Sequence, residues 1–467
     1  MNNCRNVTEN PCNMCMPMGG IIPFKGIEQS MVLLHGSQGC ATYMRRHIAE
    51  HFNEPIDVAS SSLNEKGTVY GGEKNLKQGL DNVIRVYKPK LIGVLTTCLA
   101  ETIGEDIDRI TESYLTEKGN NGLPIVTVST PGYGCSHSEG YWLALRRIVQ
   151  KLAQKTPRHS KINVIVPNVS PADIREIKRM LQLMQVEFTL LPDFSETLDS
   201  PFTRPYVKIP AGGTKIKDII NMSGAAATIE MGLAVEDNMS PGKYLEEKFG
   251  VPVYHIPVPI GMENTDIFFQ VLKRLSREEL PESLKKERGR LQDAMIDSHK
   301  YNFQGKSIIF GDPEIIYAVT KTCLENGVYP VAVATGSKTQ KLAQILAQDM
   351  ASLDIKFDVI NESDFAQIRL KAKLLQANIA LGHSDGKYLT ETEGIPLVRI
   401  GFPIHDRVGG QRLMSVGYTG TTMLLDRITN TLLENKYQNY RRLMYDQFFR
   451  NSRKIRKIGS ESRGVNG

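Results

Sequence analysis

The 467 residues carry 57 Lys and Arg against 51 Asp and Glu, with 41% hydrophobic and 23% charged side chains, which excludes a largely disordered chain. Most of the net charge of +6 sits in the last 18 residues, RNSRKIRKIGSESRGVNG, where six basic side chains meet one Glu. The remainder is close to neutral and is not read as a nucleic-acid binder. Neither a secretory leader nor the roughly 18–20-residue apolar run of a membrane helix is visible, so a cytoplasmic protein off the membrane is expected.

The length predicts about three domains. Of seven cysteines, six (Cys4, Cys12, Cys15, Cys40, Cys98 and Cys135) fall in the first 135 residues, and Cys323 stands apart. An odd count crowded into one third of a chain this large argues for soft-metal ligation or redox chemistry, not a disulfide framework. First comes Pro11-Cys12-Asn13-Met14-Cys15, a C-x-x-C compatible with zinc, a redox dithiol or an iron–sulfur cluster. Without a second C-x-x-C or a preceding strand, a cluster held by scattered loops fits better. Next, the apolar MVLL (31–34) runs into His35-Gly36-Ser37-Gln38-Gly39-Cys40. Its glycines allow close backbone approach and aim N–H groups at whatever the thiolate holds. The competing reading is a nucleophilic Cys40 on a strand-to-helix elbow, with His35 as the nearby base.

PKLIGVLTTC (89–98) predicts a buried strand ending at Thr96-Thr97-Cys98, followed by a helix with carboxylates near its start. LPIVTVSTPG (123–132) predicts another strand, leading into Thr130–Gly140, where Cys135 or Ser136 could add a ligand. Continuous β-branched runs suit a parallel sheet covered on both faces, and ligands of such sheets sit at the carboxyl strand ends. Taken alone, Cys98 reads more readily as a small buried hydrophobe. The segments 161–193 and 306–335 each predict strand, turn, amphipathic helix, strand, and 357–384 predicts a third such unit. Between them, 193–215 reads as a long loop and 276–302 as a helical connector. The expected fold class is α/β, with three Rossmann-like domains and mostly parallel sheets. Their expected spans are 1–155, holding the cysteines, 156–300 with the connector, and 301–449, followed by a basic tail at 450–467. The absence of G-x-G-x-x-G and G-x-x-x-x-G-K-[ST] counts against a nucleotide-binding protein with incidental cysteines.

HGSQGC (35–40), EHFNEP (50–55), TTCLAETIGEDI (96–107) and TPGYGCSHSEG (130–140) carry a family resemblance. So do KERGRLQDAMIDSH (286–299), FGDPE (310–314), PLVRIGFPIHDR (396–407) and VGYTG (416–420). Over nearly its whole length the chain resembles nitrogenase component 1, specifically the beta subunit of the molybdenum–iron protein. The resemblance implies a three-domain fold and a P cluster of eight irons and seven sulfurs shared with an alpha-type subunit. By motif its ligands here would be Cys15, Cys40 and Cys98, and Ser136 matches a serine that can ligate the oxidised cluster. It further implies a two-plus-two heterotetramer, electrons from an ATP-hydrolysing iron protein, and an iron–molybdenum-type cofactor on the partner. This chain has no cysteine between Cys135 and Cys323 and no H-S-W motif to hold that cofactor itself. His405 follows the beta pattern and is read as structural, Cys323 as core, and Cys4, Cys12 and Cys135 are left without a role. Asn53 stands where the family usually has a basic residue, and 223–253 diverges. Two other readings stay open. One is the beta-like subunit of the scaffold that matures the cofactor, against which Cys98 argues. The other is a nitrogenase-like reductase of another substrate.

Overall fold

A computed structural model describes residues 11–119, 122–351 and 355–450; Cys4 and the tail beyond residue 450 lie outside the described residues. The apolar runs become strands of three sheets, and every strand pairing in them is parallel. The first sheet contains β1 (Ser30–His35), β2 (Ala59–Ser60), β3 (Leu91–Thr96) and β4 (Ile125–Val128), in the order β2-β1-β3-β4. The second contains β5 (Ile162–Ile165), β6 (Phe188–Leu191), β7 (Ala227–Glu230) and β8 (Val253–His255), in the order β6-β5-β7-β8. The third contains β9 (Lys306–Phe310), β10 (Tyr329–Ala334), β11 (Asp358–Ile360), β12 (Ile379–Gly382) and β13 (Leu397–Arg399), in the order β11-β10-β9-β12-β13. Every residue of β1 and β3 is buried, as expected of strands covered by helices on both faces.

Two of the three anticipated strand–helix–strand units pair their own strands, β5 with β6 and β9 with β10. The third does not: β11 lies at the sheet edge while β12 pairs with β9. Its helix, Phe365–Leu374, therefore crosses over two intervening strands. The long loop is present, with no regular element between β6 and helix Ile216–Asn221. Of the anticipated connector, a continuous helix covers Glu282–Asn302. No helix among the described residues is long and apolar enough to cross a membrane.

Seven helices of the first layer concern the site: α1 (Met16–Lys25), α2 (Gln38–Phe52), α3 (Glu65–Tyr70), α4 (Glu73–Tyr87), α5 (Cys98–Thr102), α6 (Ile107–Glu117) and α7 (His137–Leu152). Met16 through Phe24 are all buried, the mark of a helix enclosed on every side. Helix α1 packs on β1, β3 and most extensively on α7.

Several of the quoted motifs meet one another in space. His51 Nδ1 accepts the Ile404 N–H at 2.8 Å, which joins EHFNEP to GFPIHDR. Arg288 grips Asp266 through Nε and Nη2 at 2.9 and 2.7 Å, and Asp266 also accepts the Tyr418 hydroxyl at 2.6 Å. That links KERGR to VGYTG. Asn53 closes α2 in the left-handed region at φ 55°, a conformation Asn tolerates better than most non-Gly residues. The departure from the basic pattern at this position thus has a backbone role.

Candidate thiol site at the carboxyl end of the first sheet

Strands β1, β3 and β4 are neighbours, and each runs straight into a turn and a helix on the same side. Cys40 is the third residue of α2 after β1, Cys98 the first of α5 after β3, and Ser136 the N-cap of α7 after β4. Cys15 precedes α1 and reaches this corner because α1 lies on α7. A Cβ on Gly19 would stand 1.7 Å from the His137 carbonyl oxygen, and one on Gly140 2.1 Å from that of Met16. Only two glycines permit so close a crossing, and it sets Cys15 in a short antiparallel bridge with Ser136. The same economy joins the other turns: a Cβ on Gly36 would meet Thr97 Oγ1 at 2.0 Å, and Thr97 N–H donates to the His35 carbonyl at 3.1 Å.

The sulfurs converge at Gly132. A Cβ built there would lie 2.5 Å from Cys15 Sγ and 3.1 Å from Cys98 Sγ, so both thiols border the one space its missing side chain leaves. Gly132 N–H donates to Cys98 Sγ at 3.2 Å, and Ser37 Oγ–H donates to Cys40 Sγ at 3.6 Å. Burial pushes the Cys15 thiol up to about 11, and the Cys98 and Cys40 sulfurs push it the same way. Burial therefore outweighs the opposite pull of the α1 N-terminus. Thiols gathered beside amide and hydroxyl donors suit a cationic metal group, which displaces their protons on binding. Cys15 and Gly132 open onto a cavity of about 980 Å³.

These thiols therefore make a pH-dependent prediction. A thiol is unreactive while protonated, and Cys15 stays protonated until the pH nears its raised value. In the metal-free chain, iodoacetamide labelling of Cys15 should rise about tenfold per pH unit from pH 8 to 10. Peptide mass spectrometry reads the rate, and a plateau by pH 9 would contradict the assignment.

Of the remaining candidates, Cys135, Ser136 and His405 line the same cavity as Cys15, while Cys12 and Cys323 do not. Cys12 and Cys15 do not chelate together. Cys12 turns toward the third sheet, where its N–H donates to the Ser363 carbonyl at 2.9 Å and its sulfur sits 3.5 Å from His383 Nε2. Among the described residues, no group of three or more His, Cys, Asp or Glu could hold a single metal ion. Cys135 faces Glu139, Lys338 and Glu362, and burial followed by Glu139 raises its thiol. Cys323 is buried in the main core. The Ser136 hydroxyl is engaged in the α7 cap: it accepts from Ser138 N–H at 3.1 Å, touches Glu139 Oε2 and lies 2.8 Å from Ser337 Oγ. His405 N–H donates to Ser384 Oγ at 3.0 Å, and the His405 ring approaches Asp385 at 3.8 Å. His35 turns its ring to Ser61 and Glu105, so it offers no base to Cys40.

One positioning residue escapes notice in the sequence. His137 accepts the Met14 N–H on Nδ1 at 3.1 Å, donates its own N–H to the Met14 carbonyl at 3.0 Å, and reaches Asp312 through Nε2 at 2.8 Å. It clamps the segment leading to Cys15. Its presence one residue after Ser136 is the available signal.

A family model described as nitrogenase component 1 type oxidoreductase matches residues 15–433. The chain is 37% identical over 449 residues to a nitrogenase molybdenum–iron protein beta chain of Methanococcus maripaludis, covering 93% of this chain and 96% of that one. To a nitrogenase vanadium–iron protein beta chain of Trichormus variabilis it is 34% identical over 436 residues, covering 91% and 93%. A solved structure described as nitrogenase Cp1 at pH 6.5 superposes with a TM-score of 0.88 at 36% identity, covering 93% of this chain and 95% of that chain.

Proposed function

Because the chain belongs to the nitrogenase component 1 type oxidoreductases, as a beta-type subunit, we propose that Cys15, Cys40 and Cys98 hold half of a P cluster of eight irons and seven sulfurs. The other half of the ligand set belongs to an alpha-type partner in a two-plus-two heterotetramer. The observation that supports this most directly is the meeting of thiols from separate loops around Gly132. A cluster bound there supplies one-electron storage between an ATP-hydrolysing iron protein and an iron–molybdenum-type cofactor on the partner, where dinitrogen is reduced.

The chain's own residues prepare that corner. The Gly132 amide and the Ser37 hydroxyl offer hydrogen bonds to the Cys98 and Cys40 sulfurs, the kind of contact that tunes a cluster's potential. Gly132 also keeps the space between the Cys15 and Cys98 sulfurs clear. Ser136 is the fourth proposed ligand. Its hydroxyl touches Glu139 Oε2, so the proton that must leave for this oxygen to bind iron has an acceptor in contact. No general acid or base for substrate is assigned to this chain.

The test is anaerobic co-purification with the alpha-type partner, followed by iron analysis and EPR of the dye-oxidised complex. The expected result is a multi-iron bridging signal and substrate reduction when the iron protein is added. Ordinary four-iron clusters without turnover would identify a maturation scaffold, and stoichiometric zinc without iron would defeat both readings.

A further inference from the structure

Strand β13 is the last in the order β11-β10-β9-β12-β13, so one of its sides has no neighbouring strand. Together with helix Gly417–Tyr445 and the turn after β13, it lines a pocket of about 350 Å³, a size that accepts a small molecule. Leu397, Ile404 and Leu413 give the pocket an apolar wall. Its charged side chains are Arg399, Arg407, Arg427 and Glu434.

The three guanidinium groups are not equally engaged. Arg399 is satisfied, since it grips Asp406 through Nε and Nη2 at 2.8 and 2.6 Å. Arg407 is 62% exposed and reaches the same carboxylate only at 3.6 Å. Asp406 also takes the Ser384 hydroxyl, so little of it is left for Arg407. Arg427 is half-buried, and its Nη1 donates to the Arg399 carbonyl at 3.0 Å. That bond shields the open edge of β13 from another strand, but a guanidinium carries five N–H donors. Burial pulls Arg427 below its ordinary value, and Asp173 favours its charge without bonding to it. The Asp173 oxygens are taken by the N–H groups of Ser415, Val416 and Ser170. Arg keeps its proton in proteins, so the cost of burial stands as a charge without a counter-ion.

A negative group is therefore the missing partner. The planar fork of Arg pairs with both oxygens of a carboxylate or a phosphate, and the apolar wall decides between them. It rewards a ligand with a hydrocarbon body and offers nothing to a wholly polar anion. Glu434 opposes any anion, but Arg407 and Arg427 outnumber it. We propose that this pocket binds a small organic carboxylate, its head paired with Arg427 and Arg407 and its apolar body against Leu397, Ile404 and Leu413. None of these residues belongs to the thiol corner, so the site is separate from the cluster and does not depend on that reading.

Hexanoate is the probe, titrated by ligand-observed NMR into the purified complex with the alpha-type partner. Its dissociation constant should be about 1 mM, as suits so small a ligand. Acetate keeps the head and lacks the chain, and inorganic phosphate keeps only the charge; each should bind at least about tenfold more weakly. Arg427→Leu, which preserves an apolar stem, should weaken hexanoate at least about tenfold. Glu434→Gln removes the opposing charge and should tighten it about threefold. If Arg427→Leu does not assemble, Arg407→Gln, at the exposed mouth, carries the same comparison with a loss of about threefold. The proposal is overturned if hexanoate shows no saturable binding below about 20 mM, or if acetate or phosphate binds as tightly. Unchanged affinity in the arginine variant, or weaker binding in Glu434→Gln, overturns it equally.

Discussion

Cys98→Ala is expected to lower the bridging-cluster EPR signal of the purified complex by about a hundredfold or more, beyond the 10–100-fold typical of losing a supporting contact to a metal ligand. Cys98 opens α5, its sulfur takes the Gly132 N–H at 3.2 Å, and it borders the same space as Cys15. Without it, two thiols on this chain remain to hold their half of the cluster. Cys12→Ala and Cys135→Ala are the controls. Their sulfurs face His383 and the Glu139–Lys338–Glu362 group, so iron content should stay at the unaltered level. A second readout needs no metal. The Cys98 sulfur is, after burial, one of the causes that raise the Cys15 thiol, so its removal should let Cys15 label faster at alkaline pH. Unchanged iron in Cys98→Ala would remove the central support for the cluster assignment.

How much of this is legible in the sequence differs from residue to residue. Cys40 and Cys98 can be placed at strand ends because a β-branched run followed by a Gly- or Thr-rich turn is a local signal. The structure keeps both where that signal puts them, after β1 and β3. What brings Cys15 to them is not local. It depends on Gly19 and Gly140 meeting across two helices more than a hundred residues apart, and neither glycine differs on its face from any other. The C-x-x-C spacing points the wrong way for the same reason. Cys12 belongs to a segment that bridges to Asp364 near the third sheet, and its sulfur meets His383, while Cys15 caps α1 and its sulfur meets Gly132. The third strand–helix–strand unit is legible in its elements, but not in its pairing. Periodicity reports which residues are buried, not which strand a strand will lie beside.

The contact between α1 and α7 gives the largest effect expected from one methyl group. In most helices Gly→Ala stabilises, by up to about 1 kcal/mol, because Ala restricts the unfolded chain. Gly289, on helix Glu282–Asn302, has nothing within 4 Å of the point where a methyl group would stand, so Gly289→Ala should follow that rule and raise the urea midpoint slightly. At Gly140 the sign reverses. Its methyl would overlap the Met16 carbonyl oxygen at 2.1 Å, and backbone cannot step aside by changing rotamer. Relief requires α1 and α7 to separate, which opens apolar packing along a helix buried on every side and moves Cys15 away from Gly132. Overpacking of this kind costs about 3 kcal/mol or more, the upper end of the usual range, and exceeds the propensity gain several-fold. Gly140→Ala should therefore lower the urea midpoint and, at temperatures where the chain still folds, reduce iron loading. Gly289→Ala should leave iron untouched. Equal midpoints for the two variants would mean that the α1–α7 crossing is not what holds Cys15 in the thiol corner.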